Sequence, residues 1–554
     1  MGMPKLRLAL AQTNPVVGQL SENLNACFDM VKNAAEHGAN IVLFGEMAAT
    51  GYPIEDLAIR NRFILDAASS IEAFASKLLN SGLGDTAVII GHPAPVKSDS
   101  QRSGWAGAMN SASIIFGGKV HAQYSKHHLP NYGVFDEYRN FKPGSDLVVF
   151  DHSGLKFGIA ICEDIWQSGG PVSGMKKAGV DCLLVLNGSP FEVTKGDERL
   201  EVIQDVARDQ DCAIAYVNLV GGQDDLVFDG GSLMVDASGK VVGRGKQFAN
   251  DLVIFDLIDK NNIEPVKASP ADKPDELWQI WQALVTGLRD YVDKNGFKSV
   301  ILGLSGGIDS AVCAALAVDA IGRSRVFGVS MPSKYSSEHS KSDAFDLATR
   351  LGIDCRTEPI KGLVKPVEKQ LKAKDLASEN LQARMRGVIL MTLSNLEGHL
   401  VLTTGNKSEL AVGYSTIYGD SVGGFAPLKD VEKTLVWTLA QWRNNFALAS
   451  GEIEPIPKNS IEKPPSAELR PGQVDQDSLP PYDLLDGILA AYINERLSRE
   501  EITSRGYDEE TVTKITNLVD RAEWKRRQGA IGPKITSTSF GRDRRMPITN
   551  KYSG

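Results

Sequence analysis

The first half of the chain alternates short apolar runs with Gly, Asn and Pro breaks. "KLRLALAQT", "ANIVLFGEM", "DTAVIIGHP", "SASIIFGGKVHAQYS", "LKFGIAIC", "DCLLVLNGS" and "CAIAYVNLV" are each strand-length and bounded by those residues, the pattern of β-strands. "GSLMVDASGKVVGRG" alternates around a Ser-Gly turn and predicts a hairpin. Apolar positions at helical spacing predict helices over "SENLNACFDMVKNAAEHG", with Ser21 as its cap, and over "NRFILDAASSIEAFASKLLNSG". The Pro and charge content of "KNNIEPVKASPADK" is that of a linker. The pattern predicts a first domain over 1–260, a linker over 261–274 and a second domain over 275–554.

Beyond the linker the texture changes. "DELWQIWQALVTGLRDYVDKNG" is a long amphipathic helix, and "SVILGLSGG" is a buried strand running into glycines, followed by the helix "SAVCAALAVDAIG". "VFGVSMP" and "HLVLTTGN" are further strands, separated by helical stretches such as "SDAFDLATRLG" and "NLQARMRGVILMTLSNLEG". Strands alternating with helices imply right-handed βαβ units and a doubly wound parallel sheet. Residues 455–482 hold seven prolines and few apolar clusters, which predicts a long mobile loop of the kind that serves as a lid.

A chain of 554 residues exceeds what one core supports. With 60 basic and 69 acidic residues it carries a mild net charge of −9, which gives no general reason to expect nucleic acid. Its apolar runs are strand-length, too short for a membrane span, and its first residues read as a strand and not as a signal peptide. Six scattered cysteines without a C-x-x-C pair suit a reducing cytoplasm and argue against a disulfide framework or a structural zinc site.

The most specific motif is "LGLSGGIDS", Leu302 to Ser310. Glycines between a strand and a helix let backbone N–H groups approach an anion, and the helix N-terminus adds a favourable dipole. No Gly-Lys-Ser/Thr follows and G-x-G-x-x-G is absent, so this is neither a Walker A loop nor a dinucleotide fingerprint. It resembles the S-G-G-x-D-S pyrophosphate loop of ATP pyrophosphatases. Asp309 would repel phosphate unless a cation lay between them, and Mg²⁺ commonly bridges one or two carboxylates to phosphates. Glu409, in "TTGNKSELAVGYSTIYGD", follows another strand end and faces the same crevice if the sheet is parallel. Asp309 and Glu409 are therefore the candidate magnesium pair.

"FGIAICEDIW" poses a different problem, because Cys162 is followed at once by Glu163 and Asp164, which disfavour a thiolate. An inert strand-end cysteine and a nucleophile activated from elsewhere both fit. The first domain's histidines (37, 92, 121, 127, 128 and 152) are the usual partners, and none has a distinctive context apart from "SKHHLPNYGVFDEYRNF", which also supplies Lys126. Glu46 closes the apolar run "NIVLFGEM", where a carboxylate needs a partner or a purpose. Cys162, Glu46 and Lys126 make a self-consistent trio, with the lysine offsetting the acids and the glutamate moving the proton.

Glu46 in "FGEMAATGYP", Lys126 in "YSKHHLPNYGVFDE" and Cys162 in "GIAICEDIW" resemble the Glu-Lys-Cys triad of the nitrilase superfamily. "SGGIDS", "NLQARMR", "TTGNKSELAVGY" and "YGD" resemble NAD synthetase, and a chain with both halves is similar to the glutamine-dependent NAD synthetases over nearly its whole length. The resemblance implies a nitrilase-like α-β-β-α sandwich followed by a doubly wound parallel-sheet domain of the adenine-nucleotide α-hydrolase type. It implies that Cys162 attacks glutamine with Glu46 as base and Lys126 on the oxyanion, that Tyr132, Ser189 and Lys195 hold glutamine, and that Glu137 supports the triad. ATP, a substrate used with Mg²⁺, would lie on Gly303, Leu304, Ser305, Gly306, Gly307, Ile308, Asp309 and Ser310 with Thr404 and Lys433. Deamido-NAD would meet Asn380, Glu409 and Lys534. The implied setting is a cytoplasmic homo-oligomer of at least two chains, with neither nucleic acid nor membrane as partner.

The basic stretch "EWKRRQGAIGPKITSTSFGRDRRMP" fits substrates rich in phosphate, although a solvated tail or a nucleic-acid patch has the same composition. GMP and asparagine synthetases also join an S-G-G-x-D-S loop to a glutaminase, but with a Cys-His-Glu triad or an N-terminal cysteine, and this chain begins Met-Gly-Met-Pro.

Overall fold

Each strand-like run of the first half contains one strand or two in the computed structural model, which describes residues 6–96, 107–267, 273–336 and 338–552. The chain folds as two units, one holding the chain up to Gln223 together with Val227–Asp275, the other holding Asp224–Leu226 and the chain from Glu276 onward.

In the first unit the strands are β1 (Leu6–Gln12), β2 (Ile41–Phe44), β3 (Ala87–Pro95), β4 (Ala108–Phe116), β5 (Lys119–Ser125), β6 (Val149–His152), β7 (Leu155–Ile161), β8 (Cys182–Asn187) and β9 (Ala213–Asn218). A two-stranded ribbon, β10 (Val220–Gln223) with β11 (Leu226–Asp229), follows. Then come β12 (Leu233–Val235), β13 (Val241–Arg244), β14 (Asp251–Leu257) and β15 (Ile263–Pro265). One sheet has the order β15-β14-β1-β2-β3-β4-β5 and the other β13-β12-β9-β8-β7-β6. Period-two alternation decides which residues meet. Leu8, Leu10, Leu43 and Ile89 of the first sheet share a buried core with Ile159, Ile161, Leu184, Leu186 and Val217 of the second. On the outer face of the second sheet Leu183, Val185 and Ile214 pack against Ile203 and Ala207. The helices α1 (Leu20–Glu36) and α2 (Asn61–Asn80) pack on the first sheet. The short helices α3 (Glu137–Asn140) and α4 (Met175–Ala178) precede α5 (Lys195–Gln210), which carries Ile203 and Ala207. The result is an α-β-β-α sandwich.

Two differences from the sequence reading are both local antiparallel pairings, Phe116 with Lys119 and Leu257 with Ile263. "SASIIFGGKVHAQYS" is not one strand but the antiparallel pair β4–β5, turned by Gly117 and Gly118 at positive φ. Inside the stretch read as linker, Ile263–Pro265 forms an edge strand on β14, while 268–272 lie outside the described residues.

The second unit begins with α6 (Glu276–Lys294) and continues through β16 (Val300–Gly303), α7 (Ile308–Ile321), β17 (Val326–Ser330), α8 (Glu338–Leu351), β18 (Asp354–Thr357), α9 (Lys361–Leu371), α10 (Asp375–Glu397) and β19 (Leu400–Val401). Its parallel sheet has the order β18-β17-β16-β19. The chain steps outward from β16 to β18 and then returns to the other side of β16. This reversal places a switch point, where open α/β sheets bind ligands, at the C-terminal ends of β16 and β19. After β19 come α11 (Lys407–Val412), α12 (Lys433–Ala449) and α13 (Lys458–Glu462). The Pro-rich segment is therefore not a bare loop. It contains α13 and the 3-10 turn Asp475–Asp477, and Ser460 Oγ donates to Gly306 O at 3.1 Å.

The basic C-terminal stretch differs from the expectation of cations held out for substrate. Arg526, only 8% exposed, donates to Ala411 O and Val519 O and pairs with Glu523, and Lys525 donates to Gly413 O and Ser415 O. These cations fasten the C-terminal helices to the carbonyls around α11. All six cysteines are free; five are buried and Cys355 is half-buried.

Candidate active sites

The first site gathers side chains from the ends of four segments. Glu46 follows β2, Lys126 follows β5, Glu137 opens α3 and Cys162 follows β7. All four are buried. The Glu46 carboxylate accepts from Lys126 Nζ at 2.8 Å and Asn110 Nδ2 at 2.6 Å on Oε1, and from the Gly188 amide at 2.9 Å on Oε2. Lys126 Nζ also lies 2.9 Å from Glu137, whose Oε1 accepts from Tyr52 O–H at 2.8 Å. A buried ammonium held between two carboxylates is fixed in place, because losing either partner strands a charge. Gly91 lets the backbones close up here: a Cβ on it would stand 2.4 Å from Met47 N.

Cys162 begins the 3-10 turn Cys162–Ile165 at φ 45°, a left-handed conformation unusual for a side chain of its kind. The sharp turn after β7 is what a nucleophile elbow looks like. Burial and then the Glu46 charge push the thiol well above its ordinary range, while Lys126 pulls it down. The resting group is the thiol, so attack by sulfur needs a base at hand to take the proton. Burial likewise lifts the Glu137 carboxyl to about 7, against the pull of Lys126.

The two acids next to Cys162 turn out to be occupied. Glu163 accepts from Tyr132 O–H at 2.9 Å and from Gln167 Nε2 at 2.8 Å. Asp164 is fully buried and accepts from Tyr124 O–H, from Ile161 N and from the backbone N–H of His127 and His128. His92 is engaged with Ser113 and Pro93 O, and His127 with Gly144 O.

Of the three residues expected to hold glutamine, Tyr132 presents a half-exposed ring while its hydroxyl is bound to Glu163. Lys195 sits at the start of α5 with its ammonium 5.5 Å from the Phe135 ring centre. Ser189 is buried, its amide bound to Asn218, and Arg199 Nη2 lies 3.4 Å from its hydroxyl. Arg199, Asn110 and Gly188 were not singled out from sequence. No signal short of three-dimensional contact marks them.

The second site is a cavity of about 270 Å³ at the switch point. Its lining includes Gly303, Leu304, Ser305, Gly307, Ile308, Asp309 and Ser310, with Thr404, Glu409 and Lys433. Gly306 turns the loop at φ 77°, against the backbone of Ser340. Asp309 and Glu409 do come together, and Lys433 Nζ lies between them, 2.5 Å from Asp309 and 3.4 Å from Glu409. Asn406 joins the two further: its Nδ2 donates to Asp309 Oδ1 at 2.9 Å and its Oδ1 caps α11 by accepting from Glu409 N at 3.0 Å. Burial raises the Glu409 carboxyl to about 8, with Lys433 opposing. Arg386, Lys463 and Asp475 also line the cavity and were not anticipated. Asn380 and Lys534 lie outside that lining: Asn380 accepts from Thr416 O–H at 2.8 Å, and the buried Lys534 is 3.5 Å from Asp543. Among the described residues no group of three or more His, Cys, Asp or Glu side chains is arranged to hold a metal.

Two family models match the chain, carbon-nitrogen hydrolase over residues 7–268 and NAD synthase over residues 280–529. The chain is 42% identical to the glutamine-dependent NAD(+) synthetase of Thermotoga maritima and 44% identical to that of Acinetobacter baylyi, with 99% of each chain covered in both cases. Among solved structures it is similar to the glutamine-dependent NAD(+) synthetase of Acinetobacter baumannii in complex with adenosine diphosphate, at 41% identity and a TM-score of 0.77 over 99% of both chains. A glutamine-dependent NAD(+) synthetase of Cytophaga hutchinsonii shares the fold at a TM-score of 0.83 and 22% identity, over 99% of this chain and 98% of that one.

Proposed function

This chain belongs to the glutamine-dependent NAD(+) synthetases, and on that premise we propose that it releases ammonia from glutamine at Cys162 and uses it to amidate deamido-NAD at the cavity behind the Ser305–Ser310 loop. The observation that carries this reading is the buried Glu46–Lys126–Cys162 cluster on the same chain as a cavity lined by the Ser305–Ser310 loop, whose Asp309 shares Lys433 with Glu409.

In the first unit, Cys162 Sγ attacks the side-chain amide carbon of glutamine as its proton passes to Glu46. Lys126, already charged and held by two carboxylates, needs no reorganisation to stabilise the developing oxyanion. The amide nitrogen takes the proton from Glu46 and leaves as ammonia. Glu46 then draws a proton from water, which attacks the thioester carbon; the C–S bond breaks, the sulfur takes that proton back from Glu46, and glutamate leaves. Tyr132, Ser189 and Lys195 are the residues we assign to holding glutamine, with Glu137 fixing Lys126.

In the second unit, the loop amides of Gly303–Ser310, with Thr404 and Lys433, hold ATP. The nicotinate carboxylate of deamido-NAD attacks the α-phosphorus and pyrophosphate leaves; ammonia then attacks the acyl carbon and AMP leaves. Asn380, Glu409 and Lys534 are our candidates for deamido-NAD contacts. Asp309 and Glu409 are the residues that would hold a magnesium ion, an assignment supported by their sharing the Lys433 ammonium. Such an ion would neutralise phosphate charge.

Net charge −9 gives no general reason to expect nucleic acid, and no helix among the described residues is long and apolar enough to cross a membrane. We read the protein as cytoplasmic and as at least a dimer; Leu376, Val388, Met391 and Leu396, exposed along α10, support a second copy.

The test supplies deamido-NAD, ATP and Mg²⁺ with either glutamine or ammonium and measures NAD and AMP. Cys162→Ala should abolish the glutamine-driven reaction and spare the ammonium-driven one. Absence of NAD from both nitrogen sources with the unsubstituted protein would overturn the assignment.

A further inference from the structure

We propose that Asp164 is the positioning residue that locks the thiol turn to the segment carrying the oxyanion lysine. The inference rests on the reading of Cys162 and Lys126 given above. Asp164 is two residues from Cys162 in sequence and completely buried, yet it has no cationic partner among its hydrogen bonds. A buried carboxylate is tolerated only when hydrogen bonds replace its hydration. Four do so, and they come from two places that must be kept in register. Oδ2 takes the Ile161 N–H at 3.0 Å, from the residue immediately before Cys162, and the Tyr124 hydroxyl at 2.7 Å, from β5. Oδ1 takes the His127 N–H at 3.0 Å and the His128 N–H at 2.9 Å, from the two residues immediately after Lys126.

One carboxylate thus spans the turn that presents sulfur and the turn that presents the ammonium. It also accounts for how Cys162 keeps a φ of 45°, since a strained residue persists only where its surroundings over-determine it. Of the two acids beside Cys162, Glu163 still pushes the thiol up, whereas the charge of Asp164 is spent on three backbone amides and the Tyr124 hydroxyl.

The chemistry of an amide makes the test specific. Asp164→Asn keeps the shape but offers one acceptor oxygen and one NH₂, so two of the four donors would face a donor. We expect the kcat of glutamine-driven NAD formation to fall by about 100-fold, the loss seen when an oxyanion contact is removed. The KM for glutamine should change by less than threefold on the same grounds, and ammonium-driven synthesis should be unchanged. The second readout is the rate at which iodoacetamide alkylates Cys162, with Cys162→Ala as the blank. Removing a negative charge, or merely loosening the fold, would make the thiol more reactive. Separating it from Lys126 makes it less reactive, because Lys126 is the group that lowers its pKa. Slower alkylation supports the proposal, whereas unchanged or faster alkylation, or a glutamine-driven kcat within threefold of the unsubstituted protein, overturns it. Should Asp164→Asn fail to fold, Tyr124→Phe removes a single donor from Oδ2 and should lower kcat and alkylation in the same sense by about fivefold; no change in either would refute the clamp. Retention of glutamine-driven activity by Cys162→Ala would instead refute the glutaminase reading itself.

Discussion

Asn406 offers the sharpest separation of stability from chemistry in the second unit. Its side chain serves two masters: Oδ1 caps α11 through Glu409 N, and Nδ2 holds Asp309. Replacing it with alanine removes an N-cap worth about 1 kcal/mol. It also removes a hydrogen bond to a carboxylate, worth about 1.5–3 kcal/mol. The side chain is completely buried and Asp309 largely so, which keeps solvent from filling in. Asn406→Ala should therefore destabilise the unit by about 2.5–4 kcal/mol in all. Serine is nearly as good a cap but cannot reach as a second donor, so Asn406→Ser should recover only the first part, about 1 kcal/mol. Trp278, Trp281, Trp437, Trp442 and Trp524 all lie in this unit, so urea unfolding followed by tryptophan fluorescence reads the difference. With Asp309 no longer held, kcat/KM for ATP should drop about 10- to 100-fold in both variants, equally with glutamine and with ammonium, because the same 1.5–3 kcal/mol of positioning is missing. An Asn406→Ser protein with normal kcat/KM for ATP would show that the contact to Asp309 is incidental.

Gly306→Ala should abolish ATP-dependent synthesis from either nitrogen source while leaving glutamate release intact, since its Cβ would stand 2.5 Å from Ser340 O at a φ of 77°; isotope exchange between pyrophosphate and ATP measures the loss, and exchange at the normal rate would refute it. The pH dependence of stability has a sign set by two buried carboxyls. Glu137, raised to about 7, and Glu409, raised to about 8, hold protons in the folded protein that the unfolded chain has already released above the ordinary carboxylate range. Their contribution is complete at low pH and is lost as pH rises through those values, so thermal stability should decline between about pH 5 and pH 8. Glu137→Gln should flatten the portion near pH 7, and an unaltered profile would exclude Glu137 as its source.

Much of this architecture was legible because local pattern and global fold agree. "IVLF", "VIIG" and "CLLVLN" are apolar throughout since both of their faces are covered, which is how parallel strands inside a layered fold read. "SGGIDS" was readable because its strand, turn and helix are contiguous. The failures share a different cause. "DLVIFDL" is a short run whose partner β1 lies some 245 residues earlier by register (Leu6 with Leu257, Gln12 with Asp251). Asn110 and Gly188 converge on Glu46 only through the sheet order, and the Lys433 contact with Asp309 spans 124 residues. Charge alone also does not show that Lys525 and Arg526 of the basic C-terminal stretch are bound to carbonyls.

The pairing of β1 with β14 has a consequence for synthesis. β1 is made well before β14, and one of its two edges stays open until residues 251–257 have emerged. Until then an apolar strand edge with unpaired amides is exposed, the kind of surface that recruits other chains. The N-terminal unit is therefore a late-closing fold even though it is made first, and chains interrupted before Asp251 should be the aggregating species, while those that pass Leu257 can seal the sheet before the second unit is complete.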